Sequence, residues 1–144
     1  MPLIHVLAPS GTLSSAVRDS LAELLTVTAL ECEGLPMTPF DKSTTWNYFH
    51  EVPPALVYHG GLPGGTKVIA IEINAFEGGL DEPAKLVLYQ RFTEIIRGHV
   101  GIASHARVPV YIVLREVKPV NWGVFGATTR IEELRVPHPG LAPI

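Results

Sequence analysis

Glu51-Val52-Pro53-Pro54 returns 65 residues later as Glu116-Val117-Lys118-Pro119, and the chain between these marks is built twice. Each mark closes an apolar, β-branched run. The runs are residues 44–52 (Thr-Thr-Trp-Asn-Tyr-Phe-His-Glu-Val) and 108–117 (Val-Pro-Val-Tyr-Ile-Val-Leu-Arg-Glu-Val). Such runs favour strands, and proline stops them because it has no N–H for the ladder. Upstream of each run lies a helical pattern. In the first, Val17, Leu21, Leu24, Leu25 and Thr28 form one stripe between the hydroxyls of residues 12–15 and Gly34, giving a helix to about Leu30. In the second, Leu86, Tyr89, Phe92, Ile95 and Ile96 follow an Asp81 cap with Pro83 in the first turn, giving a helix to about His99. Further upstream are apolar strands at 3–8 and 67–74, so the offset of 65 lays Pro2 on Lys67.

The pattern predicts β-α-β followed by β-α-β, with parallel strands inside each unit and right-handed crossovers. The expected fold is α/β (α+β): a four-stranded mixed sheet with two helices on one face. Its other face is left apolar, and a symmetric oligomer would cover it. Residues 1–126 read as one domain of two repeats, about 2–65 and 66–126. Residues 127–144 read as a proline-rich tail with a short extended piece near 131–136.

Composition narrows the function. The 144 residues are 47% hydrophobic and 17% charged, with net charge −3 and no basic cluster, which points away from nucleic acid and membrane surfaces. Cys32 is the single cysteine, and no stretch reads as a signal peptide or membrane span, so a cytoplasmic protein is expected. His5, His50, His59, His99, His105 and His138 show no ligand spacing; no metal and no cofactor are expected. Residues 60–67 are glycine-rich but lack the Gly-Lys-Ser/Thr ending of a phosphate loop and read as a turn.

Pro2 carries the chemistry. If Met1 is removed, the chain begins with a secondary amine, the one proline nitrogen in it able to take and return a proton. Drying such an amine at the end of a buried strand disfavours its charged form and moves its pKa toward neutrality, where a general base works best.

The Pro2 start, the duplicated strand-helix-strand plan, the run at 109–117 and its continuation Asn121-Trp122-Gly123-Val124-Phe125-Gly126 together resemble the tautomerase superfamily, over most of residues 2–126. Length and two fused units look most like the cis-3-chloroacrylic acid dehalogenase branch. Macrophage migration inhibitory factor shares the double-unit plan, and 4-oxalocrotonate tautomerase is the single-unit version. The resemblance implies a homotrimer with sheets inside and helices outside, and Pro2 as the catalytic residue near a subunit boundary. Pro2 is a base in the isomerases and an acid in the dehalogenases. Phe76 and Gly79 stand where the dehalogenases carry two arginines, Ala29 where they carry a helix histidine, and Val124 where they carry a water-activating glutamate. Tyr111 falls on the active-site tyrosine of the inhibitory-factor branch, and Trp122 on an aromatic of the single-unit tautomerases.

Several assignments stay open. Arg115 shares a strand face with Tyr111 and Val113, and either clamps a substrate carboxylate or pairs with a neighbouring subunit's carboxylate. His50 either faces the pocket or fills an aromatic interface with Trp46 and Tyr48. Asn74 either bonds an enol oxygen or ends a strand. The expected activity is cofactor-independent tautomerisation of a small 2-oxo or 2-hydroxy-enoic acid, with Pro2 as base, Arg115 on the carboxylate and Tyr111 or Asn74 on the enolate oxygen. The alternatives are a hydratase or dehalogenase on an unsaturated acid and a non-catalytic trimeric binding protein.

Overall fold

A computed structural model describes residues 2–63 and 67–144. Met1 and the Gly64-Gly65-Thr66 part of the glycine turn lie outside the described residues. Strands β1 (Leu3–Pro9), β2 (Trp46–Val52), β5 (Ile69–Phe76) and β6 (Val110–Val117) form one sheet in the order β2-β1-β5-β6. β1 runs parallel to β2 and β5 parallel to β6, while β1 and β5 are antiparallel, so the sheet is mixed as expected.

Alternation sets its two faces. Ile4, Val6 and Ala8 of β1 and Ile69, Ile71, Ile73 and Ala75 of β5 are buried beneath the long helices α1 (Ser15–Glu33) and α3 (Glu82–Val100). Their neighbours Leu3, His5 and Leu7, with Trp46, Tyr48, His50, Glu72, Tyr111, Val113 and Arg115, face the other way. Among the described residues, no element of this chain covers that second face.

Both helices start on an acceptor side chain: Val17 N–H donates to Ser14 Oγ (3.3 Å) and Ala84 N–H to Asp81 Oδ1 (2.8 Å). Both end on a left-handed glycine, Gly34 and Gly101, which lets the chain turn off the helix without a Cβ penalty. The stripes differ from expectation at one residue each. Leu24 and Leu86 are exposed, and the packed rows are Leu21-Leu25-Thr28-Ala29 and Leu88-Phe92-Ile96-Val100. Two helices side by side on a sheet bury a narrow row at i, i+4 and leave its flanks to solvent.

The duplication is real but not uniform. The helix caps lie 67 residues apart (14 to 81, and 34 to 101), whereas Glu51 and Glu116 lie 65 apart. These two glutamates do the same job, accepting from Gly11 N–H with Arg18 beside one, and from Gly78 N–H with Lys85 beside the other. The connection from helix to second strand is therefore two residues shorter in the second unit. The longer one holds the small helix α2 (Pro39–Ser43). Pro2 then corresponds to Ile69, and not to Lys67 as the single offset suggests.

After each outer strand comes a small hairpin: β3 (Tyr58–His59) with β4 (Leu62–Pro63), and β7 (Gly123–Val124) with β8 (Ala127–Thr128). The piece expected to be extended at 131–136 is instead a turn of helix, α4 (Ile131–Leu134). Arg130 N–H and Thr129 Oγ1 both donate to Glu133 Oε2 (3.2 and 2.9 Å), and Ile131 buries itself against Leu30, Leu35 and Phe76. Those partners suit a helical turn better than an isolated strand.

Candidate active site

Pro2 is buried at the head of β1, and its carbonyl accepts from Trp46 N–H at 3.3 Å. It lines a hollow of ≈ 260 Å³ with Leu3, Thr44, Trp46, Trp122, Gly123, Val124 and Phe125. None of these side chains is charged. Trp122 is held by stacking on Phe76, ring centroids 4.6 Å apart and planes 23° apart. Phe76 thus serves as an aromatic support for one wall of the hollow. With Leu30, Leu35, Ile131, Val124 and Leu134 it forms a separate apolar cluster behind the hollow.

The register sorts the other sequence candidates. Leu3 lies between Trp46 and Asn74, and Asn74 lies beside Arg115, so Asn74 and Arg115 share Pro2's end of the sheet. His50 and Tyr111 do not. They belong to the row His50-Leu7-Ala70-Tyr111, four residues along β1 and roughly 13 Å away. His50 Nε2 sits 2.8 Å from His5 Nδ1, with His5 stacked between His50 and Tyr48. Within one chain that cluster belongs to the bare face.

Arg115 takes a partner that neither sequence option supplied. Its Nη1 donates to Glu72 Oε2 of the same chain at 2.8 Å. That hydrogen bond, with the charge of each partner on the other, holds the Glu72 carboxyl below its ordinary range and Arg115 above its own, with partial desolvation opposing both. Both side chains are exposed on the bare face, so water screens the pair.

A second hollow of ≈ 370 Å³ lies at the opposite end of the sheet, lined among others by Ile69, Ala70, Tyr111, Val57, Tyr58 and His59. It is the duplicate of the first: Ile69 stands for Pro2, Tyr111 for Trp46, and Val57 for Trp122. Ile69 has an ordinary peptide nitrogen whose N–H donates to Pro109 O, so this copy has no titratable amine.

Sequence reasoning passed over one group. Glu33, in the last turn of α1, is 1% exposed. Gly79 makes the room for it: a Cβ there would come within 3.2 Å of Glu33 Oε1, 3.1 Å of Phe76 O and 3.6 Å of Ile131 Cδ1. Arg135 fastens the same corner, donating to Glu33 O (3.2 and 3.0 Å) and to Gly79 O (3.3 Å). Burial pushes the Glu33 carboxyl up, and the nearby Arg135 guanidinium pulls the other way. A signal for Glu33 was present. An acid in the last turn of a helix opposes the helix dipole and needs another reason to be there.

Among the described residues no group of three His, Cys, Asp or Glu side chains is arranged to hold a metal ion, and no helix is long and apolar enough to cross a membrane.

Neither a protein-family model nor a curated protein matches the sequence. Solved structures do match in fold, and they are members of the tautomerase superfamily. A fused 4-OT, described as an asymmetric trimer, superposes with TM-score 0.72 at 18% identity over 88% of this chain and 94% of its own. N1, a member of the cis-3-chloroacrylic acid dehalogenase family, gives 0.73 at 16% identity over 96% and 85%. A macrophage migration inhibitory factor-like protein from Entamoeba histolytica gives 0.68 at 18% over 89% and 98%. The chain has the tautomerase fold, in its two-unit form.

Proposed function

We propose that this protein is a Pro2-dependent tautomerase acting on a small 2-oxo or 2-hydroxy-enoic acid, and that it works as a homotrimer. One observation carries the reading: the start of the central strand β1 is buried in an aromatic hollow whose lining has no charged side chain. An amine released there by loss of Met1 is largely stripped of water, the condition for moving a proton at neutral pH. Pro2 transfers the proton between oxygen and carbon. Trp46, Trp122 and Phe125 exclude water and offer apolar surface to the substrate.

Arg115 is the carboxylate clamp in this reading. It lies two strands from Leu3 at the right end of the sheet and exchanges Glu72 for the substrate. Asn74, between them, bonds the enol oxygen. Tyr111, at the far end within one chain, serves the hollow of a neighbouring subunit. The trimer rests on the trimeric fused 4-OT and on the uncovered face, where Trp46, Tyr48, Tyr111 and Val113 are all exposed. Dehalogenation is the weaker reading, because Phe76, Gly79, Ala29 and Val124 are apolar where that chemistry takes polar groups.

Phenylpyruvate ketonisation by wild type and by Pro2→Ala tests the proposal, on material whose intact mass shows Met1 removed. A loss of about 100-fold or more is expected. Equal rates would remove Pro2 from the mechanism. Arg115→Ala should raise KM about tenfold or more and leave kcat nearly unchanged, as loss of a uniform binding contact does.

A further inference from the structure

We propose that Thr45 is a positioning residue for Pro2: its buried hydroxyl accepts the N–H of the processed amine and leaves the nitrogen's lone pair facing the hollow. The inference deepens the reading of Pro2 as the proton carrier and rests on it. Thr45 is 7% exposed, and among the described residues its Oγ1 has no hydrogen-bond partner. A buried hydroxyl in that condition needs a reason, because desolvating it costs free energy that nothing returns. The sheet brings it to Pro2. Trp46 N–H donates to Pro2 O, and Leu3 pairs with Trp46, so Pro2 and Thr45 are the step before, side by side on neighbouring strands. Such neighbours stand about 4.8 Å apart, within reach of a threonine side chain.

Thr44 and Trp46 line the hollow, whereas Thr45 between them turns inward, as Asn47 does, whose Nδ2 donates to Thr26 Oγ1 of α1 at 2.9 Å. Pro2 thus has the hollow on one side and the Thr45 hydroxyl on the other. A secondary amine carries one hydrogen and one lone pair. With its N–H held by Thr45, the lone pair is what it offers to the substrate. It takes the enol O–H proton there, and that new N–H bond breaks as a C–H bond forms on the substrate. The first N–H stays on Thr45 throughout. In a chain that keeps Met1, the Pro2 nitrogen is an amide with no hydrogen, so the donor for Thr45 arises only with the amine.

The duplication supplies a control. Position 45 plus the strand offset of 65 is Val110, and Val110 pairs directly with Ile69, the counterpart of Pro2. Valine has the shape of threonine without its hydroxyl. Ile69 N–H donates to Pro109 O and needs nothing from that side chain. Hydroxyl and amine therefore occur together in one unit and are both missing from the other. The neighbouring polar groups are engaged elsewhere. Thr44 Oγ1 donates to Asp41 O (2.6 Å), the Asp41 carboxylate accepts from Thr38 N–H, and Lys42 pairs with Glu23 at 2.8 Å. Glu33 sits in the Gly79 corner, where Arg135 donates to backbone carbonyls. Asn47 Oδ1 also lacks a hydrogen-bond partner among the described residues, but an amide oxygen has no hydrogen to give Thr45. A neutral hydroxyl adds no charge to the hollow, so the amine remains the dried base of the proposed function.

The test needs no turnover, so the hydrogen bond stays measurable even if Pro2→Ala turns substrate over as fast as wild type. Protein shown by mass to begin at Pro2 is labelled with nitrogen-15 proline and carbon-13 threonine and titrated by NMR, as wild type, Thr45→Val and Thr45→Ser. An N–H···O bond is stronger when the nitrogen is charged, so losing the acceptor disfavours the protonated amine. The Pro2 midpoint is expected to fall by about half a pH unit or more in Thr45→Val and to stay near that of wild type in Thr45→Ser. An unchanged midpoint in Thr45→Val overturns the proposal. A fall that serine reproduces overturns it too, because the hydroxyl would then not be its cause. Should Thr45→Val not fold, the wild-type Thr45 Cβ signal, assigned by its loss in Thr45→Ser, decides. It must move at the pH where Pro2 titrates, and a signal that stays in place overturns the proposal equally.

Discussion

Gly79 shows what a missing side chain does. It is buried, its φ is not left-handed, and so the backbone does not require glycine there. The space does. Gly79→Ala would drive a methyl against Glu33 Oε1 and Phe76 O, and overpacking of this kind costs about 1–3 kcal/mol. Urea unfolding of Gly79→Ala beside wild type measures it, and an unchanged midpoint would mean that the corner yields freely. At this scale the sequence was only partly legible. Pro2 stood out because an amino-terminal proline has chemistry no other residue has. Alternation put Arg115 on one strand face with Tyr111 and Val113, but it took the register to bring Asn74 and Arg115, and not Tyr111, to Pro2's end of the sheet. Arg115's partner was not legible, since Glu72 lies 43 residues away on a neighbouring strand and only the register joins them. Glu33 was hidden by habit: charged residues near a helix end are ordinarily solvated.

Among the elements, the four strands and two long helices were legible because their periods and stops agree: alternation for strands, a packed stripe for helices, proline and glycine at the ends. The error of two residues in the repeat had a specific cause. Glu51-Val52-Pro53-Pro54 and its copy calibrate only the second strand of each unit, and the loop before that strand differs in length. The caps Ser14 and Asp81, or Gly34 and Gly101, would have calibrated the first half and laid Pro2 on Ile69. α4 was misread because short segments have no period to read. Its weight in the fold is carried by Ile131, 3% exposed among Leu30, Leu35 and Phe76. Ile131→Ala is expected to cost roughly 2–3 kcal/mol, the low end for a buried isoleucine, because the cluster is small. Chemical denaturation checks this. The same variant should loosen Trp122 and redshift its fluorescence.

For the whole molecule, the uncovered sheet face governs behaviour. One chain leaves Trp46, Tyr48, Tyr111 and Val113 in water beside His5, His50 and the Glu72-Arg115 pair, a mixed surface suited to a symmetric contact. Val113→Asp puts a charge in its middle without touching the core. The variant should sediment as a single chain of about 15.6 kDa while its far-UV circular dichroism stays that of wild type, because the core beneath the helices is untouched. A trimer that survives this change would place the subunit contact elsewhere.

The hollow around Pro2 is walled by Trp122 and Phe125, and the corner behind it is shut by Ile131 and Arg135, all from the last part of the chain to be synthesised. While the ribosome is still at work, the emerging amino terminus has nothing to be enclosed by. For an enzyme that works through a free Pro2 amine, that interval, before the final two dozen residues swing back, is when the initiator methionine would be most openly presented for removal.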